Sequence, residues 1–151
     1  MALLKPTRGA QYPLIKEFVF NFNDTIVDVN GVTKDFGTTI ASAPVAKIMT
    51  LPVGAVVCGG ELIVEVAGVG PTAYTVALGT SANAASLLAA SSLLAVADTR
   101  YAILLTKQLD TNAGLDVQLT MVDSVAAATA GKFRVRIMYT IDNRANEMSA
   151  T

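Results

Sequence analysis

The feature that most constrains this chain is a two-residue hydrophobic period that returns after each turn signal. In Glu61-Leu-Ile-Val-Glu-Val-Ala67, Leu62, Val64 and Val66 fall on one side of an extended chain and Glu61, Ile63 and Glu65 on the other. Successive strand side chains point to opposite faces, so this is the signature of a half-buried strand. Tyr74, Val76 and Leu78 follow the same rule within residues 73–80, and Phe18, Phe20 and Phe22 alternate with Val19 and Asn21. In Lys132-Phe-Arg-Val-Arg-Ile-Met-Tyr139 the odd positions are apolar, while Lys132, Arg134 and Arg136 form a cationic row on the opposite face.

Segments 26–29, 44–51, 55–58, 101–106 and 115–122 have strand-like composition, and the last strand extends over 132–141. Turns are expected at Asn30-Gly31, where Asn-Gly favours a type I′ hairpin, at Gly59-Gly60, at Gly68-Val-Gly-Pro71, and at residues 110–114 and 126–131. Residues 82–97 break the period with Ala, Ser and Leu, and Ser81 or Asn83 is available as an N-cap, which predicts one short helix. The expected architecture is all-β: an antiparallel β-sandwich, jelly-roll-like, of about eight strands with one short helix. Residues 1–14 carry Pro6, Gly9 and Pro13 without apolar periodicity and read as an extended N-terminal arm; residues 15–142 form the sandwich and 143–151 a C-terminal tail. No fixed-period repeat supports a propeller or solenoid.

Residue content narrows the function. With 151 residues, 52% of them apolar and 15% charged, the chain matches one folded domain rather than a disordered one. The absence of His excludes a His-based triad, facial triad or zinc site, and no cofactor is expected. Cys58 is the single cysteine, so no internal disulfide forms, and its apolar N-terminal flank predicts a buried thiol. Met1-Ala-Leu-Leu-Lys5 is too short an apolar run for a signal peptide. Residues 66–97 carry no charge, but glycines and Pro71 interrupt them, leaving residues 82–97 short of the ~20 residues a spanning helix needs. No membrane association is expected.

The remaining constellations are weak as chemistry. Glu61 and Glu65 share a strand face with Cα atoms about 13 Å apart, which is wide for a glycosidase pair, and they read as solvated acids. Asp116 and Asp123 read the same way, on opposite faces. Gly68-Val-Gly is followed at once by Pro71, so it is a turn rather than a phosphate loop. Ser81, Ser86, Ser91 and Ser92 have no His, and no lysine in their segment, to activate them. No enzyme is expected.

The cationic row admits two readings. It is a solvated face with cross-strand ion pairs to acids such as Glu61, Glu65 or Asp116, or, with Lys5 and Arg8 of the arm, a patch that docks an acidic partner surface. A net charge of −1 argues against nucleic acid, as does the placing of Phe133 and Tyr139 away from the row. High apolarity with little charge implies many small, weakly polar surface side chains, and hence contacts with copies of the chain or other subunits.

Three stretches carry a resemblance to known proteins: Leu51-Pro-Val-Gly-Ala-Val-Val-Cys-Gly-Gly-Glu-Leu-Ile-Val-Glu-Val66, Tyr74-Thr-Val-Ala-Leu-Gly-Thr-Ser-Ala-Asn83 and Ala130-Gly-Lys-Phe-Arg-Val-Arg-Ile-Met-Tyr139. Between about Leu51 and Ile141 the chain resembles the capsid decoration, or cement, proteins and related head proteins of tailed bacteriophages. The resemblance implies a jelly-roll or related sandwich, a homotrimer at local threefold positions, and an arm spread over the major capsid protein. It also implies a place on the virion surface after synthesis in the host cytoplasm. A glycan-binding, lectin-like module of a phage fibre or head appendage is the alternative, although such sites usually expose aromatic platforms.

Overall fold

The computed structural model describes residues 12–37, 45–103, 114–124 and 126–141. Every long alternating segment is a strand. In chain order they are β1 (Leu14–Asn21), β2 (Thr25–Val27), β3 (Thr33–Asp35), β4 (Val45–Leu51), β5 (Ala55–Val69), β6 (Ala73–Gly79), β7 (Leu88–Ser92), β8 (Arg100–Ala102), β9 (Leu115–Ser124) and β10 (Ala130–Ile141). Two four-stranded antiparallel sheets, in the orders β1-β10-β5-β8 and β4-β9-β6-β7, are joined by a separate β2-β3 hairpin. No helix occurs among the described residues, so none of them forms one long and apolar enough to cross a membrane.

The apolar faces meet in one core. Leu62, Val64, Phe133, Val135 and Ile137 of the first sheet pack with Tyr74, Val76, Leu78, Val117, Leu119 and Met121 of the second. Phe133 is central: its ring lies 5.2 Å from Phe20 and 5.6 Å edge-on from Tyr74, which ties three strands and both sheets together. Edge-to-face contact directs a ring's positive rim at its neighbour's negative face. The Tyr74 hydroxyl donates a 2.8 Å hydrogen bond to the Phe36 carbonyl, so the β2-β3 unit is anchored to the core.

Four local expectations fail, each for a physical reason. Residues 82–97 form no helix; they contain a turn and then β7, which pairs with β6. Asn83 serves that turn: its backbone exchanges hydrogen bonds with Thr80 and its Oδ1 accepts from the Ala85 amide. Burial of Leu87, Leu88 and Leu93 in the core then outweighs the modest helix propensity of the alanines and serines. Gly59-Gly60 makes no turn, because β5 runs straight through it. These glycines adopt φ of +156° and +149°, and a Cβ on Gly60 would stand 2.2 Å from the Arg136 carbonyl oxygen, so only glycine lets β10 approach this closely. The register shifts here: Met138 pairs with Gly59 and Tyr139 with Val57. Cys58 is therefore the extra residue of a bulge and lies exposed rather than buried. The Asn30-Gly31 hairpin forms, but only Gly31 takes a positive φ, +80°, so the turn is not type I′. Asp28 organises it by accepting from the Asn30 and Val32 amides.

Candidate functional site

The outer face of the β1-β10-β5-β8 sheet carries the residues that the sequence singled out. Lys132, Arg134 and Arg136 alternate with buried Phe133, Val135 and Ile137 and project outward together. Register brings acids beside them: Glu17 of β1 stands opposite Arg136, and Arg136 opposite Glu61 of β5. The charges form an unbroken ladder across all four strands. Lys132 Nζ lies 3.0 Å from Glu65, and Glu65 accepts from Arg134 Nε. Arg134 reaches Glu17 at 2.9 Å, Glu17 accepts from Arg136 Nε, Arg136 lies 3.5 Å from Glu61, and Glu61 meets Arg100 of β8 at 2.8 Å.

Titration follows this pairing. The hydrogen bond from Arg136 above all, outweighing the opposing cost of desolvation and helped by Arg134, holds the Glu17 carboxyl below the usual carboxylate range. Hydrogen bonds from Arg134 and Lys132 do the same for Glu65, and Arg134 in turn is raised, first by its bond to Glu65. The cross-strand pairing to Glu61 and Glu65 is therefore present, whereas Asp116 joins Lys47 and Thr50 on the other sheet. Sequence reasoning missed Glu17 and Arg100. Glu17 was legible as outward, one step out of phase with Phe18, but its partners depend on a pairing that no local pattern states. Lys5 and Arg8 lie outside the described residues.

Asp123, expected to be solvated, is buried beside Tyr74, its cross-strand partner on β6. Burial, followed by the negative charges of Asp123 and Asp35, pushes the Tyr74 phenol well above its ordinary value. Among the described residues no cluster of three or more acids, histidines or cysteines is placed to hold a metal.

The second sheet's outer face is different. Thr75 and Ala77 of β6 stand beside Val122 and Thr120 of β9, so this surface is small and uncharged at its centre. The Lys47–Asp116 pair, 2.8 Å apart, marks its β4-β9 side. A cleft of about 570 Å³ opens where the edge strands β7 and β8 approach, lined by Leu87, Leu88, Ser91, Arg100 and Tyr101 among others. The Tyr101 hydroxyl donates to the Ser92 carbonyl across it.

No protein-family model matches the chain, and no curated protein matches it. Solved structures that share its fold include chains of two phage capsids. A chain of the capsid asymmetric unit of cyanophage Pam1 is 19% identical with a TM-score of 0.59, over 93% of this chain and 94% of that one. A chain of the acid-stable capsid of Helicobacter pylori bacteriophage KHP30 is 17% identical with a TM-score of 0.57, over 85% and 87%. Both likenesses are of fold, spanning nearly whole chains, and both structures are phage capsids.

Proposed function

We propose that this chain is a structural virion protein that binds the outer surface of a phage capsid and reinforces contacts between major capsid protein subunits. The observation that carries the reading is the near end-to-end fold likeness to chains of two phage capsids. Strand connectivity supports it. With the β2-β3 hairpin set aside, the remaining eight strands follow the orders 1-8-3-6 and 2-7-4-5. That order is the one expected of two Greek keys wound together, which supports reading the sandwich as a jelly roll, an architecture that recurs in viral capsid proteins.

The surfaces suit such a role. The second sheet presents small uncharged side chains that another subunit can cover at little desolvation cost. Lys5, Arg8, Lys132, Arg134 and Arg136 are the proposed cationic contacts with the major capsid protein. Within the row, Lys132 keeps the most reach, because its ammonium meets one carboxylate while Arg134 and Arg136 each serve two. A homotrimer is the proposed form, since three simultaneous contacts make the second and third effectively intramolecular and multiply retention. The site is the capsid surface, with no cofactor, nucleic acid, membrane or catalytic step involved.

The test is rebinding. Purified protein mixed with capsids stripped of it cosediments at saturable stoichiometry, and the restored particles resist heating better than bare ones. Protein that stays in the supernatant at all concentrations refutes the proposal.

A further inference from the structure

β8 is an edge of the first sheet, and its three residues divide by direction. In the β5-β8 ladder the Ile103 amide donates to the Gly60 carbonyl and the Val64 amide to the Thr99 carbonyl. Bonded and non-bonded pairs alternate along an antiparallel ladder, so Tyr101, opposite Leu62, turns its amide and carbonyl toward β5. The amides and carbonyls of Arg100 and Ala102 therefore point away from the sheet, and no described residue bonds to them. The nearby edge is closed instead: on β7 the Ala89 and Ser92 carbonyls accept from the Ser91 and Tyr101 hydroxyls at 2.9 Å. β8 has no proline or bulge to turn another strand away. Its one charge, Arg100, is drawn onto Glu61 through Nη1 alone, 2.8 and 2.9 Å from the two carboxylate oxygens, and its Nε and Nη2 have no partner among the described residues.

We propose that β8 pairs with β8 of a second copy of the chain, antiparallel about a twofold axis between the two Tyr101 residues, so that two sheets join into one. Arg100 of each chain then exchanges both backbone hydrogen bonds with Ala102 of the other. Residues directly opposite share a face, so Arg100 of the second copy stands beside Ala102, and Ala102 stands beside Glu61. The Ala102 methyl is too small to separate them, and the unused Nε and Nη2 of the incoming guanidinium reach Glu61 while its Nη1 keeps its own carboxylate. Each of the two arginines bridges both glutamates, which closes a ring of alternating charge across the axis. This complementarity selects the occupant. The partner strand must carry a half-used arginine and, two positions on, a small residue beside a carboxylate, and this chain supplies both, as an isologous contact requires. The opposed Tyr101 residues fall at the closer, non-bonded spacing, with Cα atoms about 4.5 Å apart. They lie at the mouth of the cleft of about 570 Å³ and cover its Leu87 and Leu88 lining.

The contact joins two chains and is separate from the trimer contact proposed above. It does not rest on the capsid reading: a chain that pairs through β8 yet ignores capsids sinks that reading and leaves the contact standing.

The test is sedimentation of the full chain, paired with amide hydrogen exchange followed by nuclear magnetic resonance. Wild type sediments as an even multiple of the chain mass, and its Arg100 and Ala102 amides exchange at least about tenfold faster once dilution separates the chains. Ala102→Pro removes an edge donor and none that β8 gives to β5, and Arg100→Gln removes the bridging charge. Each weakens association by about tenfold or more, with far-ultraviolet circular dichroism unchanged. Wild type that stays a single chain or a lone trimer at high concentration overturns the proposal. So does an associated wild type whose Arg100 and Ala102 amides exchange at one rate at every concentration, or a folded Ala102→Pro variant as associated as wild type.

Discussion

Replacing Phe133 by Ala removes the ring that joins the two sheets. Phe133 is fully buried and touches Phe20 of its own sheet and Tyr74 of the other. A buried Phe→Ala change costs about 3–5 kcal/mol through lost transfer energy and the cavity left behind. The upper part of that range applies here, because each aromatic pair adds about 0.5–1.5 kcal/mol beyond its buried area. Against a typical domain stability of about 5–15 kcal/mol, the variant keeps a reduced margin. Equilibrium urea unfolding followed by circular dichroism reads the loss. With a slope of about 1–3 kcal/mol/M a loss of about 4–5 kcal/mol lowers the midpoint by roughly 1.3–5 M, while Val19→Ala on the outer face moves it little. A Phe133→Ala midpoint within about 0.3 M of wild type, at unchanged slope, refutes a shared core between the sheets.

Two further outcomes follow from named contacts. Glu17 and Glu65 both have carboxyls held below the usual range, so their stabilising effect is complete above the ordinary carboxylate pKa and is lost as pH falls through the lower folded value. Thermal unfolding of wild type therefore steepens its decline below about pH 4.5, and the Glu17→Gln, Glu65→Gln double variant declines less steeply; parallel curves contradict the ladder. Gly60→Val forces a Cβ to 2.2 Å from the Arg136 carbonyl oxygen at a φ that valine resists, and destabilises by at least about 1–3 kcal/mol in the same urea assay. A neutral effect means β5 and β10 pair less closely there.

Much of the fold was legible because period 2 is a local property. Leu62, Val64, Tyr74, Val76, Phe133 and Val135 declare their buried faces in sequence, and all are core residues. What failed depends on neighbours distant in the chain. Gly59-Gly60 reads as a turn until β10 lies against it, and Cys58 reads as buried until the bulge turns it outward. Residues 82–97 read as a helix because Ala and Ser conceal a strand whose pairing with β6 decides the matter. The ladder was half legible: the cationic row and Glu61 and Glu65 were evident, while Glu17 and Arg100 needed the strand order.

Capsid binding is tested most directly by cryo-electron microscopy of stripped particles before and after incubation with this chain. Binding as proposed adds density of sandwich size at equivalent outer-surface positions, astride seams between major capsid protein subunits. Reconstructions that are identical with and without the protein, at concentrations far above the particle count, contradict it.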